Sequence, residues 1–334
     1  MINYIIRRLL LLIPVFIGVS ILAFALLRLI PGDPAKSMLG NKATEAQLQS
    51  LRAELKLNDP LPVQYASYMK DVIKGDLGKS IKSHDSVIKE ISTRLPATIE
   101  LSLFALIIAI VIGVLAGIIS AAKRSSWFDH LSMTGALFGV SMPIFWLGLM
   151  MIWLFSVTLH WLPPSGRLSV GTHLQTITNF YLVDSILTGN WFAFKDSLAH
   201  ILMPGFALGT IPMAIIARMT RSSMLEVLNQ DFIRTANAKG LAKYLVIFKH
   251  ALKNAFLPVL TVIGFQFGFL LGGAVLTETI FSWPGVGRYV YQSILSRDYP
   301  VVQSTILIIA VMFVLINLIT DILYKYFDPR IRYD

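Results

Sequence analysis

Gly78-Lys79-Ser80 is the first place where residue types and spacing suggest chemistry, because a lysine and a hydroxyl behind a glycine loop can hold phosphate and magnesium. The full phosphate cradle, G-x-x-x-x-G-K-[ST], needs glycine at position 73. That position is Ile73, and no strand pattern precedes it. Gly75-Asp76-Leu77-Gly78-Lys79-Ser80 therefore reads as a glycine-terminated turn. The six histidines (His84, His130, His160, His173, His200 and His250) include no H-E-x-x-H and no i,i+4 pair that would set two imidazoles on one helix face. No G-x-S-x-G elbow is present either. The absence of cysteine excludes thiolate metal sites, iron–sulfur ligation and disulfides. An intramembrane enzyme or scaffold would need a paired polar site buried in apolar spans, and no spacing marks one.

The elements around these residues are those of a membrane protein. Of 334 residues, 55% are hydrophobic and only 14% charged, against about 25% charged in soluble domains. Apolar runs of about 20 residues can cross the hydrocarbon core as helices. Six such runs occur, at Leu9–Ile30, Ala97–Ala122, Leu131–Leu159, Leu198–Ala217, Phe256–Phe281 and Val301–Tyr324. The expected fold is all-α and polytopic, with six transmembrane helices. Residues 1–30 form the N-terminal span, 31–95 a polar external insertion, and 96–334 a five-helix core. Arg7-Arg8, the apolar run behind them and Ala23-Phe24-Ala25 have signal-peptide features, but the run continues to Ile30, as an uncleaved anchor would.

The net charge of +10 could suggest nucleic acid or anionic lipid, but its distribution argues against nucleic acid. Seven Lys/Arg against two acids lie in Arg218–Asn254. The positive-inside rule then places this loop in the cytoplasm. With six spans both termini also face inside, in agreement with Arg7 and Arg8 before the first span and Lys325, Arg330 and Arg332 after the last. The insertion falls outside. There Thr44 can cap a helix through Leu57 that Asn58-Asp59-Pro60 stops, and a second helix over Val63–Lys74 ends at Gly75. The other outer loop, Trp161–Ser197, opens on Pro163-Pro164-Ser165-Gly166 and carries Trp161, Tyr181 and Trp191, aromatics suited to anchoring at the interface.

Two spans carry small residues every fourth position: Gly113 and Gly117, then Gly264, Gly268 and Gly272. That spacing places them on one helix face and permits close backbone approach. The Gly264 face either packs within the chain, meets a partner subunit, or lines a moving seam. Charges beside the spans are few (Arg28, Glu100, Glu278 and Asp321) and lie near span ends. An ion-coupled carrier would bury such groups near the midplane. Glu278 is the best functional candidate, where a helix meets Phe281-Ser282-Trp283-Pro284-Gly285; a purely structural role, satisfying loop amides or pairing with Arg288, is the alternative.

Within Arg218–Asn254, Asp231 can cap a helix over Phe232–Lys239, and Gly240 suits the left-handed position that ends one. Two turns span about 12 Å and are marginal alone in water, so this helix needs something to pack against. Beyond Gly240, Lys243, Lys249 and Lys253 alternate with Leu245, Val246, Phe248 and Leu252, as in a helix lying at the membrane surface with snorkelling lysines.

This segment resembles the EAA loop of ABC importer permeases, E-A-A-x3-G-x9-I-x-L-P. Ala236, Gly240 and Leu252 match the general pattern. The departures, Ile233-Arg234-Thr235-Ala236, Ala238-Lys239-Gly240-Leu241 and His250-Ala251-Leu252-Lys253-Asn254, are similar to the dipeptide/oligopeptide/nickel branch. So, in order, are Arg28-Leu29-Ile30-Pro31-Gly32-Asp33-Pro34, Gly75-Asp76-Leu77-Gly78, Arg94-Leu95-Pro96-Ala97-Thr98, Glu278-Thr279-Ile280-Phe281-Ser282-Trp283-Pro284-Gly285, Arg297-Asp298-Tyr299-Pro300 and Asp328-Pro329-Arg330. The arginine-led first span and the long Ser165–Ser197 loop resemble the dipeptide type.

The resemblance implies a type I ABC importer permease of the bacterial inner membrane, itself non-catalytic. It would pair with a second, related permease, two cytoplasmic ATPases that bind ATP and magnesium, and an extracytoplasmic solute-binding protein. Asp231, Phe232, Ile233, Arg234, Thr235, Ala236, Asn237, Ala238, Lys239, Gly240 and Leu241 would form the coupling helix seated on an ATPase. Glu278, Arg288, Gly264, Gly268 and Gly272 are the pathway or gate candidates. Peptides are the implied cargo, with glutathione, nickel chelates or oligosaccharides as alternatives; a secondary carrier or channel is the reading from another class.

Overall fold

The computed structural model describes residues 13–25, 35–36, 43–54 and 57–327. The sequence motifs at 28–34 and 328–330, and the terminal charges at Arg7, Arg8, Arg330 and Arg332, lie outside them. Among the described residues the ordered elements are helices, joined by turns and one isolated bridge between Lys79 and Ser86. Four are long and apolar enough to cross a membrane: Val87–Ala122, Trp191–Leu228, Lys243–Gly272 and Tyr299–Thr320. A bent pair, Trp127–Ser141 and Ile144–Thr158, is apolar enough to make a fifth when its two helices are taken as one span. The described part of the first expected span is the helix Ile13–Ala25.

We number the helices α1 (Ile13–Ala25), α2 (Glu45–Glu54), α3 (Leu61–Ile73), α4 (Val87–Ala122), α5 (Trp127–Ser141), α6 (Ile144–Met151, continued as a π-helix to Thr158), α7 (Tyr181–Leu187), α8 (Trp191–Leu228), α9 (Asp231–Ala238), α10 (Leu252–Gly273), α11 (Val275–Ile280), α12 (Val286–Leu295) and α13 (Tyr299–Phe327).

The second, third and fifth spans differ from expectation for local reasons. The third is not one rod: it bends by 103° between α5 and α6. Pro143 forces its predecessor out of the helical region, and Met142 sits at φ −78°, ψ 130°. The second begins ten residues early, because Val87–Leu95 joins the helix as its first turns and Pro96 is carried inside it. The fifth ends at Gly273, and Ala274 leads into the separate short helix α11.

The chain divides into two compact units, residues 1–95 with 285–312, and residues 96–284 with 313–334. In the first, α3 packs on α1: the Tyr65 ring meets Phe24 edge-on at 5.3 Å, and its hydroxyl shares a 2.7 Å hydrogen bond with buried Ser20. At α2, Thr44 and Gln47 bond reciprocally, Thr44 N–H to Gln47 Oε1 at 2.9 Å and Gln47 N–H to Thr44 Oγ1 at 3.3 Å. This is a capping box, and Thr44 caps as its residue type requires. The glycine–lysine–serine triplet is an anchor: Ser80 Oγ donates to buried Asp298 at 2.6 Å and accepts from the amides of Lys82 and Ser83.

The second unit is organised on α8. Two thirds of its apolar window is buried (67%), against 39% for α4 and 44% for the fifth span. Helices in lipid gain little from the hydrophobic effect and associate by close packing. Small residues supply that packing. A Cβ on Gly117 of α4 would lie 2.7 Å from the Ala217 carbonyl oxygen of α8, and one on Gly209 of α8 would lie 2.8 Å from the Ala105 oxygen of α4. Backbone meets backbone, so neither position admits a side chain.

Candidate functional site

The segment 218–254 is helical along most of its length rather than an irregular loop. Arg218 to Leu228 prolong α8, a helix of 38 residues that spans about 57 Å at 1.5 Å per residue and so outruns a hydrocarbon core of about 30 Å. A short turn then starts α9. Asp231 opens this helix as its first residue while Gln230 occupies the cap position without a side-chain hydrogen bond; the carboxylate sits in the first turn, where the helix dipole favours it. The end follows expectation. Gly240 adopts φ +71°, its N–H donates to Asn237 O at 3.0 Å, and Leu241 N–H reaches back to Ala236 O at 3.3 Å. That pairing is a Schellman stop, which only a residue at ease with positive φ completes without strain.

The helix is two-faced. Ile233 and Ala236 are buried in a cluster with Ile118 and Ala121 of α4, Met224 and Val227 of α8, Val246 and Ala251 of the segment leading into α10, and Ala255 of α10 itself. Phe232, Arg234, Thr235, Asn237 and Ala238 are exposed, as are Asp231, Lys239, Gly240 and Leu241. Arg234 and Asp231 pair at 3.3 Å in the open, an interaction worth under about 1 kcal/mol. Three membrane helices thus meet under one 8-residue helix. The lysine-rich segment after Gly240 is not an in-plane surface helix. Lys243–Leu245 and a π-helix over Val246–Ala251 run straight into α10; the extra residue per π turn shifts the register so that Val246 and Ala251 face the cluster.

Also within residues 218–254, Arg221 of α8 grips Asp129 of α5. Nε donates to Oδ1 at 2.6 Å and Nη2 to Oδ2 at 2.8 Å. Asp129 also accepts the Ser125 amide at 3.0 Å and is 3% exposed. The sequence reading missed this pair, although Ser126-Trp127-Phe128-Asp129 has capping-box spacing, and Ser126 Oγ accepts the Asp129 N–H at 3.3 Å.

At the other end of α4 a second polar cluster is buried. Thr98 donates to Glu278 Oε1 at 2.6 Å, and Glu278 is fully buried on α11. The Trp283 indole N–H donates to Ala97 O at 2.9 Å. Glu100 accepts Arg167 Nη2 at 2.5 Å and the Leu182 N–H at 2.8 Å. The Arg167 guanidinium lies 3.5 Å from the centre of the Tyr181 ring and also donates to Asn179 O. Asp184 of α7 is enclosed by the Thr178 hydroxyl and the amides of Ile177, Thr178 and Asn179. Burial works to raise its carboxyl pKa, and these four donors outweigh burial, leaving it below the ordinary range. Arg167 and Asp184 carry no local sequence signal; only the folded loop reveals them.

The remaining candidates separate. Gly264 and Gly268 of α10 pack against Thr320 and Phe313 of α13, so these two serve packing within the chain, while Gly272 faces open space. Gly264 and Thr320 also line an apolar pocket of about 210 Å³ with Leu106, Leu260 and Phe267. Arg288 lies half-buried on α12.

Residues 113–333 match the family model described as the binding-protein-dependent transport system inner membrane component, and residues 1–102 match the model of the N-terminal part of such components. The chain belongs to this family. This inner-membrane component is 57% identical over 333 residues to the dipeptide transport system permease protein of Alkalihalophilus pseudofirmus, covering 100% of both chains. It is 41% identical to the glutathione transport system permease protein of Escherichia coli, again over 100% of each. A chain of a methionine ABC transporter solved in inward-facing conformations shares the fold at TM-score 0.54 and 16% identity, over 70% of this component and 93% of that chain. It is therefore a multi-pass, membrane-embedded ABC permease.

Proposed function

We propose that this chain is the permease subunit of an ATP-driven importer and translocates di- and oligopeptides delivered by a solute-binding protein. The observation that carries the mechanism is α9: an exposed face on a short helix whose buried face is locked to three membrane helices. A push or pull on that face moves α4, α8 and α10 together, because a packed core transmits displacement and does not absorb it. Asp231 to Leu241 then serve as the coupling helix. One of two cytoplasmic ATPases, which hold ATP and magnesium, docks there, and a second related permease completes the pathway. Both termini lie in the cytoplasm in this reading, in keeping with the basic Arg218–Asn254 segment.

The peptide assignment is supported by the name of the 57% identical relative, and the glutathione relative favours a second reading, that of a tripeptide with an unusual backbone link. Reconstitution of the chain with its partner subunits in vesicles, with binding protein outside, tests the whole proposal. Uptake of labelled dipeptide is expected to require ATP and binding protein. Uptake by the permease without ATPases would make it a secondary carrier or channel. ATP-driven uptake of glutathione in preference to dipeptides would move the cargo to the second reading.

A further inference from the structure

Helix α7 is amphipathic the wrong way round for water. Asp184 and Ser185 are fully buried, whereas Val183, Ile186 and Leu187 are 45%, 53% and 60% exposed, and Trp191 and Phe192 just beyond them are 62% and 72% exposed. Contiguous large apolar side chains on a protein surface mark a surface that is covered by something. From Ile177 to Phe194 the only charged side chain is Asp184, and its charge is enclosed by three amides and a hydroxyl. The backbone past the helix end is closed as well: Thr188 N–H and Oγ1 both donate to Asp184 O, and Asn190 N–H donates to Ser185 O. The segment itself offers a protein partner no free charge, and the exposed Lys195 just beyond it suits the headgroup level, where a lysine stem lies along apolar surface with its ammonium in water. A low-dielectric medium would meet few open polar groups, which is the condition for entering lipid.

The depth of the segment agrees. The Leu182 N–H bonds to Glu100 of α4 at 2.8 Å. Glu100 precedes Ala122, the far end of that helix, by 22 residues, or about 33 Å at 1.5 Å per residue, and Lys123-Arg124 follow at once. With those two cations at one face of a hydrocarbon core about 30 Å thick, α7 stands at the opposite interface. Tryptophan and tyrosine favour that level, and Trp191 there begins the membrane helix α8.

We propose that α7, Trp191 and Phe192 form an in-plane lipid-docking surface at the boundary between acyl chains and headgroups. This proposal rests on the chain being a membrane permease and is independent of its cargo. The test uses the complete transporter in phosphatidylethanolamine–phosphatidylglycerol vesicles. The chain has no native cysteine, so Ile186→Cys places one nitroxide on it, with the wild-type complex labelled in parallel as background. Val170→Cys, at a fully exposed loop residue, is the water-facing reference. Collision with oxygen relative to a nickel chelate is expected to be several-fold greater at position 186 than at 170. Equal ratios, the result of a water-facing surface or one that meets the binding protein only in passing, would overturn the proposal. So would a label shielded from both reagents, the result of a face packed against the second permease.

Discussion

Arg221 and Asp129 are joined by two parallel hydrogen bonds, at 2.6 and 2.8 Å, that tie the last turns of the long, largely buried helix α8 to the start of α5. Asp129 is almost fully buried and the Arg221 side chain is 28% exposed, so water screens the pair only in part. The planar fork fixes orientation as well as distance, which a single-point ion pair does not. The tie stands next to the cluster that backs α9, where a rigid frame is needed if α9 acts as a lever.

The first prediction follows from that fork. Arg221→Lys keeps the charge and loses the second bond, at a cost of about 1.5–3 kcal/mol for a charge-assisted contact. Import is expected to fall several-fold while insertion persists, with ATP hydrolysis less dependent on binding protein. Paired uptake and ATPase assays in vesicles read this directly; wild-type values for both would show that the clamp is dispensable.

The Schellman stop gives a graded pair of variants. Gly240→Ala must hold an alanine at φ +71°, which costs about 1–2 kcal/mol. Gly240→Pro cannot reach that φ and also removes the N–H that bonds Asn237 O. The alanine variant is expected to import at a reduced rate, and the proline variant to insert normally but not import. Normal import by Gly240→Pro, with normal ATPase stimulation, would falsify the assignment of α9 as the lever.

Arg167 and Glu100 have side chains only 4% and 7% exposed. Removing one partner of a buried pair leaves an uncompensated charge, at about 3–5 kcal/mol. Arg167→Met is therefore expected to loosen the loop from Leu162 to Asn190 and lower the melting temperature of the purified permease. Adding Glu100→Gln, whose Oε1 still accepts the Leu182 N–H, should recover most of the loss. Thermal unfolding and protease protection of that loop check the order; a double variant no better than the single one refutes the pairing argument.

Much of this was legible in residue order because it depends on neighbours in sequence. The spans follow from uninterrupted apolar runs, the capping box at Thr44 from residues three apart, and the end of α9 from Gly240 alone. Local chemistry also contained the bend at Met142-Pro143, which a reading of apolar length passed over. The Glu278 candidate was visible as a lone acid at a span end, but its contact with Thr98, 180 residues away, was not. The small-residue face of α10 was legible, with packing within the chain one of three readings it allowed, while the contacts of Gly264 and Gly268 with Thr320 and Phe313 were not.

Sequence by itself determined that the chain is a bundle of membrane helices carrying a basic segment with a short, glycine-stopped helix, because hydropathy, helix capping and positive φ are set within a few residues. Only the tertiary structure decided what that helix is fastened to, which acids are locked by Arg221 and Arg167, and that α7 turns its polar side inward. Those are matters of which distant surfaces meet. Packing and burial settle them through contacts between residues tens to hundreds of positions apart, and no local pattern encodes the choice.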